Sequence, residues 1–412
     1  MKSPSKPLRV LYSFPHRLGA DRICYTAWQQ VNGLAAAGAQ VTVMAASMQR
    51  EVPANVVVSP TLSRGSLRIP YRILGSRRAF WLHDYIVSKR LERLAGSIDV
   101  VHVWPLGALR TLAVAQRLGI PTVMERPNAH SRFAQEAVRA EGNRIGVGLP
   151  PGHEHAFNED ILSQEEEEYR RSFRLLCPSD FVQKTFRDHG FASEQLLRHI
   201  YGYDEATYFP SPEPRQAASG LTALFVGVCA VRKGVHFALE AWLNSPAHRD
   251  GKFLIAGEFL PAYEAKLAHM LSHPSVQVLG HRKDVPELMR RSDILLLPNI
   301  EEGFGLVCTE AMGSGCVPLV SDACTDLCMH MENALVHHVA DVAALTEHIS
   351  LLHAQPELLQ TLRNNGLKLA PSITWTAAGV KLVEAYAQAV DAHRGSKSTN
   401  FLPTALSKAA AS

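Results

Sequence analysis

The chain has 412 residues, of which 46% are hydrophobic and 20% charged, and this length predicts two domains rather than one compact core. The formal net charge of +3 is too small for a protein that binds nucleic acid over a large surface. No apolar run reaches the ~20 residues that span a bilayer, and the polar start leads directly into a strand-like run, unlike a signal peptide. We therefore expect a cytoplasmic protein.

The first half alternates short apolar runs with helical patterns, which is typical of βαβ units. The predicted strands are nearly continuous hydrophobic runs, as in parallel sheets that are buried on both faces. These strands are residues 8–14, 40–45, 98–103 and 121–125, and the predicted helices between them are residues 23–37, 81–94 and 109–117.

Two segments of the first half interrupt this alternation. Residues 141–155 are rich in Gly and Pro, and we interpret them as a mobile surface loop. Residues 164–169 open an acidic helix that carries Glu165 to Glu168, which we expect to be a solvated helix face.

Basic and aromatic residues alternate between positions 64 and 93, opposed only by Asp84 and Glu92. The basic residues are Arg64, Arg68, Arg72, Arg77, Arg78, Lys89, Arg90 and Arg93, and the aromatic residues are Tyr71, Phe80, Trp81 and Tyr85. Each basic residue near an anionic membrane contributes about 1 kcal/mol. The stretch predicts a lipid-linked acceptor or peripheral contact with the inner face of the membrane. The alternative is solvated helix faces around buried aromatic residues.

Residues 208–219 contain three prolines and little apolar pattern, so they predict a linker between domains. The βαβ alternation then resumes, and 373–393 reads as a long amphipathic helix. The predicted organisation is an N-terminal domain, the linker, a C-terminal domain, a helix crossing back to the first domain and a disordered tail. The corresponding ranges are 1–207, 208–219, 220–372, 373–394 and 395–412.

The seven cysteines form no CxxC pair. Cys324 and Cys328 lie near Cys308, Cys316 and His330, so a metal site is one interpretation. Zinc ligands usually come as paired, short-spaced knuckles, which this group lacks. We predict buried free thiols and no metal.

The segment PNIEEGFGLVCTEAMGSGCVPLVSD, at 298–322, combines a predicted strand end, a Gly-rich loop and a helix that begins near Leu306. Ligands of doubly wound sheets bind outside the carboxyl ends of the strands, where this loop is expected. Gly303 and Gly305 allow close approach of a ligand to the backbone and to the helix N-terminus. Glu302 and Glu310 would reach different parts of one elongated ligand, such as a sugar and a ribose. A plain strand-to-helix turn is the alternative.

A second loop, FVGVCAVRKG at 225–234, places Arg232 and Lys233 after the first strand of this domain and just before a helix. Cations at a helix N-terminus are unfavourable unless an anion lies between them. A diphosphate satisfies both requirements, because Arg binds it bidentately and Lys acts as a point charge. The alternative is a solvated basic turn.

Together these loops resemble the retaining glycosyltransferases of family 4 (glycosyl transferases group 1). The Glu-x7-Glu pattern appears as Glu302-GFGLVCT-Glu310, and the lysine loop as VGVCAVRKG. The segments ERPNAHSRF, LLCPSDFVQKTF, YGYDEATYFP and VQVLGHRKDVPELMRRSDILLLPN also resemble family landmarks. The resemblance runs from about residue 8 to residue 390. It implies an α/β GT-B fold, with two Rossmann-like doubly wound domains that face a central cleft and a C-terminal crossover helix.

The resemblance also implies roles for individual residues. Glu302 would hold hydroxyls of the transferred sugar, with backbone N–H groups of Gly303, Phe304, Gly305 and Leu306. Glu310 would bind the ribose of the nucleotide, and the backbone around Gly280 and His281 would line the base. Arg232 and Lys233 would neutralise the departing diphosphate, and His130 would lie near the reacting carbon. The alternative for His130 is a hydrogen-bonded histidine at a strand end.

Two departures from the family pattern concern phosphate binding. Relatives carry an arginine directly after the glycine of the VG turn, where this chain has Val228. Arg232 would take over that charge. The first loop, PHRLGADRI, lacks the double glycine of relatives, although Gly19 would still be able to approach the diphosphate.

The implied reaction moves a hexose-type sugar from a nucleotide-diphosphate sugar to an acceptor hydroxyl. No Asp-x-Asp motif occurs, so we expect Lys233 and Arg232, and no metal or other cofactor, to neutralise the leaving group. The acceptor would be a glycan, a lipid-linked or a small molecule, and nucleic acid is not expected as a partner. A nicotinamide oxidoreductase is disfavoured because no G-x-G-x-x-G follows either first strand. An inactive GT-B scaffold and a sugar-nucleotide epimerase of the same fold stay open.

Overall fold

A computed structural model describes residues 6–64, 67–69, 74–150, 152–153, 156–212 and 220–399. The strands are β1 (Arg9–Leu18), β2 (Gln40–Met48), β3 (Val57–Val58), β4 (Ser63–Arg64), β5 (Leu67–Arg68), β6 (Val100–Val103), β7 (Thr122–Glu125), β8 (Arg174–Cys177), β9 (Leu196–Arg198), β10 (Thr222–Val226), β11 (Lys252–Ala256), β12 (Val276–Gly280), β13 (Ile294–Leu297), β14 (Val317–Ser321) and β15 (Leu335–His337). The helices are α1 (Ile23–Ala36), α2 (Ser76–Leu94), α3 (Leu109–Leu118), α4 (Ser131–Ile145), α5 (Glu159–Arg171), α6 (Asp180–Asp188), α7 (Val235–Asn244), α8 (Pro261–Leu271), α9 (Val285–Arg291), α10 (Leu306–Ser314), α11 (Val342–Ala354), α12 (Pro356–Leu369) and α13 (Trp375–Thr399).

The first large sheet has the strand order β3-β2-β1-β6-β7-β8-β9. Its interior strand β1 pairs in parallel with both β2 and β6, and its apolar side chains are buried on both faces, as in other parallel sheets. β1 extends four residues beyond the predicted strand 8–14 and ends at Leu18, with a register shift between Phe14 and Arg17. Residues 15–18, the first four of the predicted PHRLGADRI loop, therefore belong to β1.

The second sheet has the order β12-β11-β10-β13-β14-β15, and all five pairs of neighbouring strands are parallel. This is the Rossmann order 3-2-1-4-5-6, in which the direction of strand addition reverses between the first and fourth strands while the strands stay parallel. Here that switch point lies between β10 and β13, where Ala223 is paired with Ile294. The loops that follow these two strands are the two that the sequence singled out.

The described chain divides into two compact units. The first lies within Met1–Met124, Glu168–Leu175 and Leu382–Ser412, and the second within Glu125–Glu167 and Leu176–Lys381. The first part of α13 is thus counted with the second unit and the rest with the first. The predicted linker, 208–219, lies partly outside the described residues, and the predicted domain boundaries stay predictions.

Several local predictions are corrected. Residues 141–145, predicted as loop, are the last turn of α4, while 151, 154 and 155 lie outside the described residues. Glu165 and Glu168 do not form a solvated face, because both are buried. Residues 395–399, predicted to be disordered, continue α13, and 400–412 lie outside the described residues.

The predicted basic and aromatic stretch is also different in detail. Trp81 and Tyr85 are 51% and 42% exposed, so the interpretation with buried aromatic residues is wrong for them. Nη1 of Arg90 donates hydrogen bonds to the backbone carbonyls of Ser59 and Pro60, so this side chain is held within the protein. Asp84 is buried and does not oppose the basic residues. Tyr71 and Arg72 lie outside the described residues.

All seven cysteines are free, and all but the half-buried Cys24 are buried. Cys308 and Cys324 approach each other with 3.5 Å between their sulfur atoms. Within the described ranges, no group of three or more His, Cys, Asp or Glu residues is arranged to hold a metal ion. The prediction of buried free thiols is confirmed for six of the seven.

Candidate active site

The two loops at the switch point are packed directly on each other. After β10, a short 3-10 turn, Val231–Lys233, leads through Gly234 into α7. Gly234 has a φ of 66°, and a Cβ at this position would overlap the carbonyl oxygen of Pro298, which follows β13. Only glycine permits this contact, so Gly234 holds the Arg232–Lys233 turn against the second loop.

Four charged side chains meet between these loops. Nη1 of Arg232 donates to the backbone carbonyl and to Oε1 of Glu301, at 3.1 Å each, and lies 3.6 Å from Oε1 of Glu302. Nζ of Lys233 forms an ion pair with Oε2 of Glu302. We refer to Arg232, Lys233, Glu301 and Glu302 as the charge cluster. The predicted residues Arg232, Lys233 and Glu302 are therefore brought together.

Glu302 is held ionised by several groups at once. Its Oε2 accepts a hydrogen bond from Nδ2 of Asn299 at 3.0 Å, and its Oε1 accepts one from the backbone N–H of Gly303 at 3.1 Å. Burial by itself raises the pKa of a carboxyl, but the charges of Lys233 and Arg232 and these hydrogen bonds hold the pKa of Glu302 at about 2. The carboxylate is thus ready to accept hydrogen bonds at any physiological pH.

Glu301 was missed by the sequence analysis, although it directly precedes Glu302. Its side chain is fully buried, and burial raises its pKa despite the opposing charge of Arg232. The pKa values of these two adjacent carboxyls are therefore shifted in opposite directions, a pattern typical of sites where charge moves. The available sequence signal was the Glu-Glu pair before the Gly-rich loop, since two consecutive acidic residues at a buried strand end are unusual.

The Gly-rich loop is packed closely on the segment after β7. A Cβ on Gly303 would overlap the carbonyl oxygen of Pro127, and the hydroxyl of Ser179 donates to the carbonyl of Gly303 at 2.7 Å. The Phe304 side chain is buried edge-on against Tyr201, so Phe304 offers a ligand only its backbone. Ser179 and Pro127 were not among the predicted site residues.

α10 begins where it was predicted. Gly305 is its N-cap, with a φ of 73° and no side-chain hydrogen bond at the cap, and Leu306 is its first residue. A helix N-terminus of this kind offers backbone N–H groups to an anion or a hydroxyl.

Glu310 lies apart from the contacts of the charge cluster, on the second turn of α10. Burial raises its pKa to about 7, and a hydrogen bond from the hydroxyl of Tyr208 opposes the rise. Tyr208 belongs to the predicted linker and was also missed. The arrangement agrees with different tasks for the two glutamates of the Glu-x7-Glu pattern.

Two protein-family models match the chain. The model described as Glycosyltransferase Family 4 matches residues 25–201, and the one described as Glycosyl transferases group 1 matches residues 220–355. Among curated relatives, the lipopolysaccharide glucosyltransferase WaaG of Escherichia coli strain K12 is 28% identical over 194 residues, which are 46% of this chain and 46% of WaaG. The match thus spans about half the length of that relative.

Solved structures are similar over nearly the whole chain. Sucrose-phosphate synthase from Thermosynechococcus elongatus has a TM-score of 0.69 and 18% identity, covering 94% of this chain and 100% of that one. HepE of Anabaena in complex with UDP-glucose has a TM-score of 0.61 and 16% identity, covering 92% and 99%. At these identities the similarity establishes the fold.

The chain belongs to glycosyltransferase family 4. Its fold is GT-B, with two Rossmann-like parallel sheets, so the predicted family and fold class are confirmed. In this family 4 glycosyltransferase the two loops of the charge cluster follow the carboxyl ends of β10 and β13, the edge at which doubly wound sheets in general bind ligands.

His130 follows β7 and is the N-cap residue of α4. Its ring is buried and stacks on His189, with centroids 4.0 Å apart, and its backbone N–H donates to the hydroxyl of Thr185 at 3.0 Å. Burial, with the nearby charges of His189 and Arg126, lowers the pKa of His130 to about 3. The imidazole is therefore neutral at pH 7, and its place at a helix start differs from the strand end considered in the alternative interpretation.

The remaining predicted binding residues are glycines and their neighbours. Gly280 ends β12 with a φ of 66°, and His281 after it is exposed. Gly19, in the first unit, has a φ of 80°, and its carbonyl accepts a hydrogen bond from Nε of Arg50 at 2.9 Å. Val228 is 42% exposed and carries no charge where relatives were expected to have arginine. Base and phosphate binding by Gly280, His281 and Gly19 stays a prediction.

Proposed function

We propose that this chain transfers a hexose-type sugar from a nucleotide-diphosphate sugar to an acceptor hydroxyl, with retention of the anomeric configuration. The observation that carries the proposal is the charge cluster, in which Arg232 and Lys233 meet Glu302 at the switch point of a Rossmann sheet. Two cations that can bind an anion thus lie in direct contact with a carboxylate that can bind sugar hydroxyls.

The donor would replace contacts that the cluster now makes within itself. The diphosphate would take the cations, because a phosphate offers Arg232 a bidentate acceptor and Lys233 a full negative charge. Glu302 would then accept hydrogen bonds from sugar hydroxyls, while Asn299 and the N–H of Gly303 keep it in place. Glu310 would accept from the ribose.

The chemistry follows from where charge develops. Breaking the bond between the sugar carbon and the diphosphate places negative charge on the leaving oxygen, where Lys233 and Arg232 stabilise it. Removing one such group typically costs about 3 kcal/mol of transition-state stabilisation. The acceptor would attack from the face that the diphosphate leaves, and the leaving phosphate oxygen would help to take its proton. Neutral His130 would line the reacting carbon, and no metal or other cofactor is required.

The names of the similar proteins support the substrate class. WaaG is a lipopolysaccharide glucosyltransferase, and HepE was solved with UDP-glucose. We therefore propose a glycan or lipid-linked acceptor in the synthesis of a cell-envelope polysaccharide or glycolipid, at the cytoplasmic face of the membrane. Among the described residues, no helix is both long and apolar enough to cross a bilayer.

The first test is a thermal-shift titration with UDP, GDP, ADP and their common sugar conjugates. A ligand at 100 times its dissociation constant should stabilise the protein by about 2.7 kcal/mol. We expect one nucleotide series to raise the melting temperature, Lys233→Ala to abolish the rise, and the exposed Lys266→Ala to leave it unchanged. EDTA should not alter the shift. If no nucleotide raises the melting temperature, the donor site is wrong.

Turnover then separates the transferase from its alternatives. A transferase should hydrolyse its donor slowly in the absence of acceptor, whereas an inactive GT-B scaffold binds the donor and leaves it intact. An epimerase converts the donor alone to a second nucleotide sugar. NMR of the anomeric proton during incubation with donor alone distinguishes the three outcomes.

A further inference from the structure

Glu301 holds a buried charge that the proposed donor site does not by itself require. Its side chain is 0% exposed, whereas the other three members of the charge cluster are 10% to 15% exposed. Oε1 of Glu301 lies 3.1 Å from Nη1 of Arg232, which makes Arg232 the cation in direct contact with it. A cation in direct contact offsets much of the cost of burying a carboxylate.

The charges of the cluster balance only while the donor site holds no anion. Arg232 and Lys233 contribute two positive charges, and Glu301 and Glu302 contribute two negative charges. The diphosphate of a nucleotide sugar brings two further negative charges to the same cations. A surplus of two negative charges in a buried site is costly, so one of the groups there must change its charge or leave.

We propose that Glu301 takes up a proton when the diphosphate of a nucleotide sugar binds at Arg232 and Lys233, and releases it when the nucleoside diphosphate departs. This inference rests on the proposed donor site and extends it to the proton balance of binding. The proton comes from solvent and converts the Glu301 carboxylate to a neutral carboxyl, with no other bond made or broken. Neutral Glu301 no longer competes with the phosphate for Arg232, so it acts as a positioning residue for that guanidinium.

The neighbours of Glu301 are less suited to this role. Glu302 keeps two donors that carry no charge, Nδ2 of Asn299 and the N–H of Gly303, and gains sugar hydroxyls when the donor binds. For the ionised form of Glu301, the charge of Arg232 is the largest favourable electrostatic contribution, that of Lys233 is smaller, and that of Glu302 is unfavourable. Its pKa is already raised by burial in the free protein, which agrees with this assignment.

The test is calorimetric titration of the full chain with UDP-glucose and with GDP-mannose at pH 7, in PIPES and in Tris buffer, neither of which contains phosphate. The phosphates of these sugars are diesters that do not titrate near pH 7, so a binding enthalpy that depends on the buffer reports protons taken up by the protein. We expect net uptake by the wild type. Affinity should weaken as pH rises from 6 to 8, by up to tenfold per pH unit for one full proton.

Glu301→Gln resembles the protonated carboxyl and should bind without the uptake assigned to Glu301, with a dissociation constant that depends less on pH than that of the wild type. Glu332→Gln, an exposed carboxyl in the same unit, should behave as the wild type. Glu310→Gln should retain the uptake, which separates the proposed proton from one at the ribose site. The wild-type measurement needs no variant, so the inference stays testable if Glu301→Gln does not fold.

The outcomes separate this inference from the proposed function. Binding with equal enthalpy in both buffers, or uptake that persists in Glu301→Gln, overturns the inference and leaves the donor site intact. Absence of binding by every nucleotide sugar overturns the donor site and the inference with it.

Discussion

At the scale of single residues, the candidate site depends on glycines that bring separate segments into backbone contact. Gly234 packs on the carbonyl of Pro298, and Gly303 packs on the carbonyl of Pro127. Neither contact leaves room for a methyl group. These glycines set the distance at which Arg232, Lys233 and Glu302 meet, which is why the ion pairs form between residues 69 positions apart.

Gly303→Ala should therefore be costly. The added Cβ meets a backbone oxygen, which cannot move aside as a flexible side chain does, and overpacking of this kind typically costs about 1 to 3 kcal/mol. We expect a melting temperature lower by about 2 to 4 °C per kcal/mol, together with weaker nucleotide-sugar binding.

The matched control is Gly148→Ala, because no atom lies within 4 Å of a Cβ built there and its φ is not positive. Differential scanning calorimetry on both variants gives the comparison. Equal melting temperatures for the two would show that the loop yields to the added methyl group, contrary to the packing described here.

At the scale of elements, buried carboxylates fix the start of helix α3. Glu168 of α5 accepts hydrogen bonds from the N–H groups of Leu106 and Ala108, at 2.6 and 3.1 Å. Asp84 of α2 accepts from the N–H groups of Arg110 and Thr111, at 2.8 and 2.9 Å. Carboxylates at a helix N-terminus satisfy free N–H groups and interact favourably with the helix dipole.

Glu168→Gln tests this role of α5. The amide keeps the shape but loses the charge, and a hydrogen bond to a charged group typically contributes about 1.5 to 3 kcal/mol. We expect the free energy of unfolding to fall by about 2 kcal/mol in urea titrations. Glu136→Gln, an exposed glutamate on α4, should change it by less than about 0.5 kcal/mol. A small effect at Glu168 would mean that the N–H groups find water or another acceptor.

Helix α4 connects the histidine candidate with the basic turn. It begins after His130, and further along it Glu141 accepts a hydrogen bond from Nε2 of His236, at 2.8 Å. Nδ1 of His236 lies 2.6 Å from the hydroxyl of Tyr263, which also accepts the backbone N–H of His236. Burial lowers the pKa of His236 against the opposing effect of Glu141. With its proton on Nε2, the ring donates to Glu141, and its Nδ1 accepts a hydrogen bond from the hydroxyl of Tyr263. This chain of contacts fixes the start of α7, directly after Lys233.

For the molecule as a whole, the small net charge does not mean that charged residues are evenly distributed over the surface. On α2, five exposed residues recur every fourth position, so each lies beside the next and together they form an exposed stripe that winds around the helix. They are Arg77, Trp81, Tyr85, Lys89 and Arg93. The Trp81 and Tyr85 rings stack with centroids 5.7 Å apart, and the guanidinium of Arg110 lies 4.6 Å from the Trp81 ring. We propose this aromatic and basic face as the membrane-proximal surface, because aromatic rings and cations together suit an anionic lipid interface.

Sedimentation with vesicles tests the α2 face. We expect the protein to bind vesicles containing phosphatidylglycerol and to be released by salt, since the attraction is largely electrostatic. Lys89→Ala should reduce the partition coefficient about fivefold, the equivalent of ~1 kcal/mol per basic residue. Trp81→Ala should reduce binding at high salt as well. Lys266→Ala, in the second unit, is the control; equal losses for Lys89→Ala and Lys266→Ala would point to a general charge effect.

The amino-acid sequence was enough to predict the βαβ alternation, the family and the loops that carry Arg232, Lys233 and Glu302. These features are local, since hydrophobic runs, glycines and charged residues within about ten positions define them. The tertiary structure was needed to show that Glu301 pairs with Arg232, that Gly303 packs on Pro127, and that Glu165 and Glu168 are buried. The acidic run on α5 was predicted to be solvated because a local pattern shows the charged residues but not the distant groups that form hydrogen bonds or ion pairs with them. Glu168 accepts a hydrogen bond from a residue 62 positions away, and Glu301 pairs with a residue 69 positions away. Only folding brings these partners into contact.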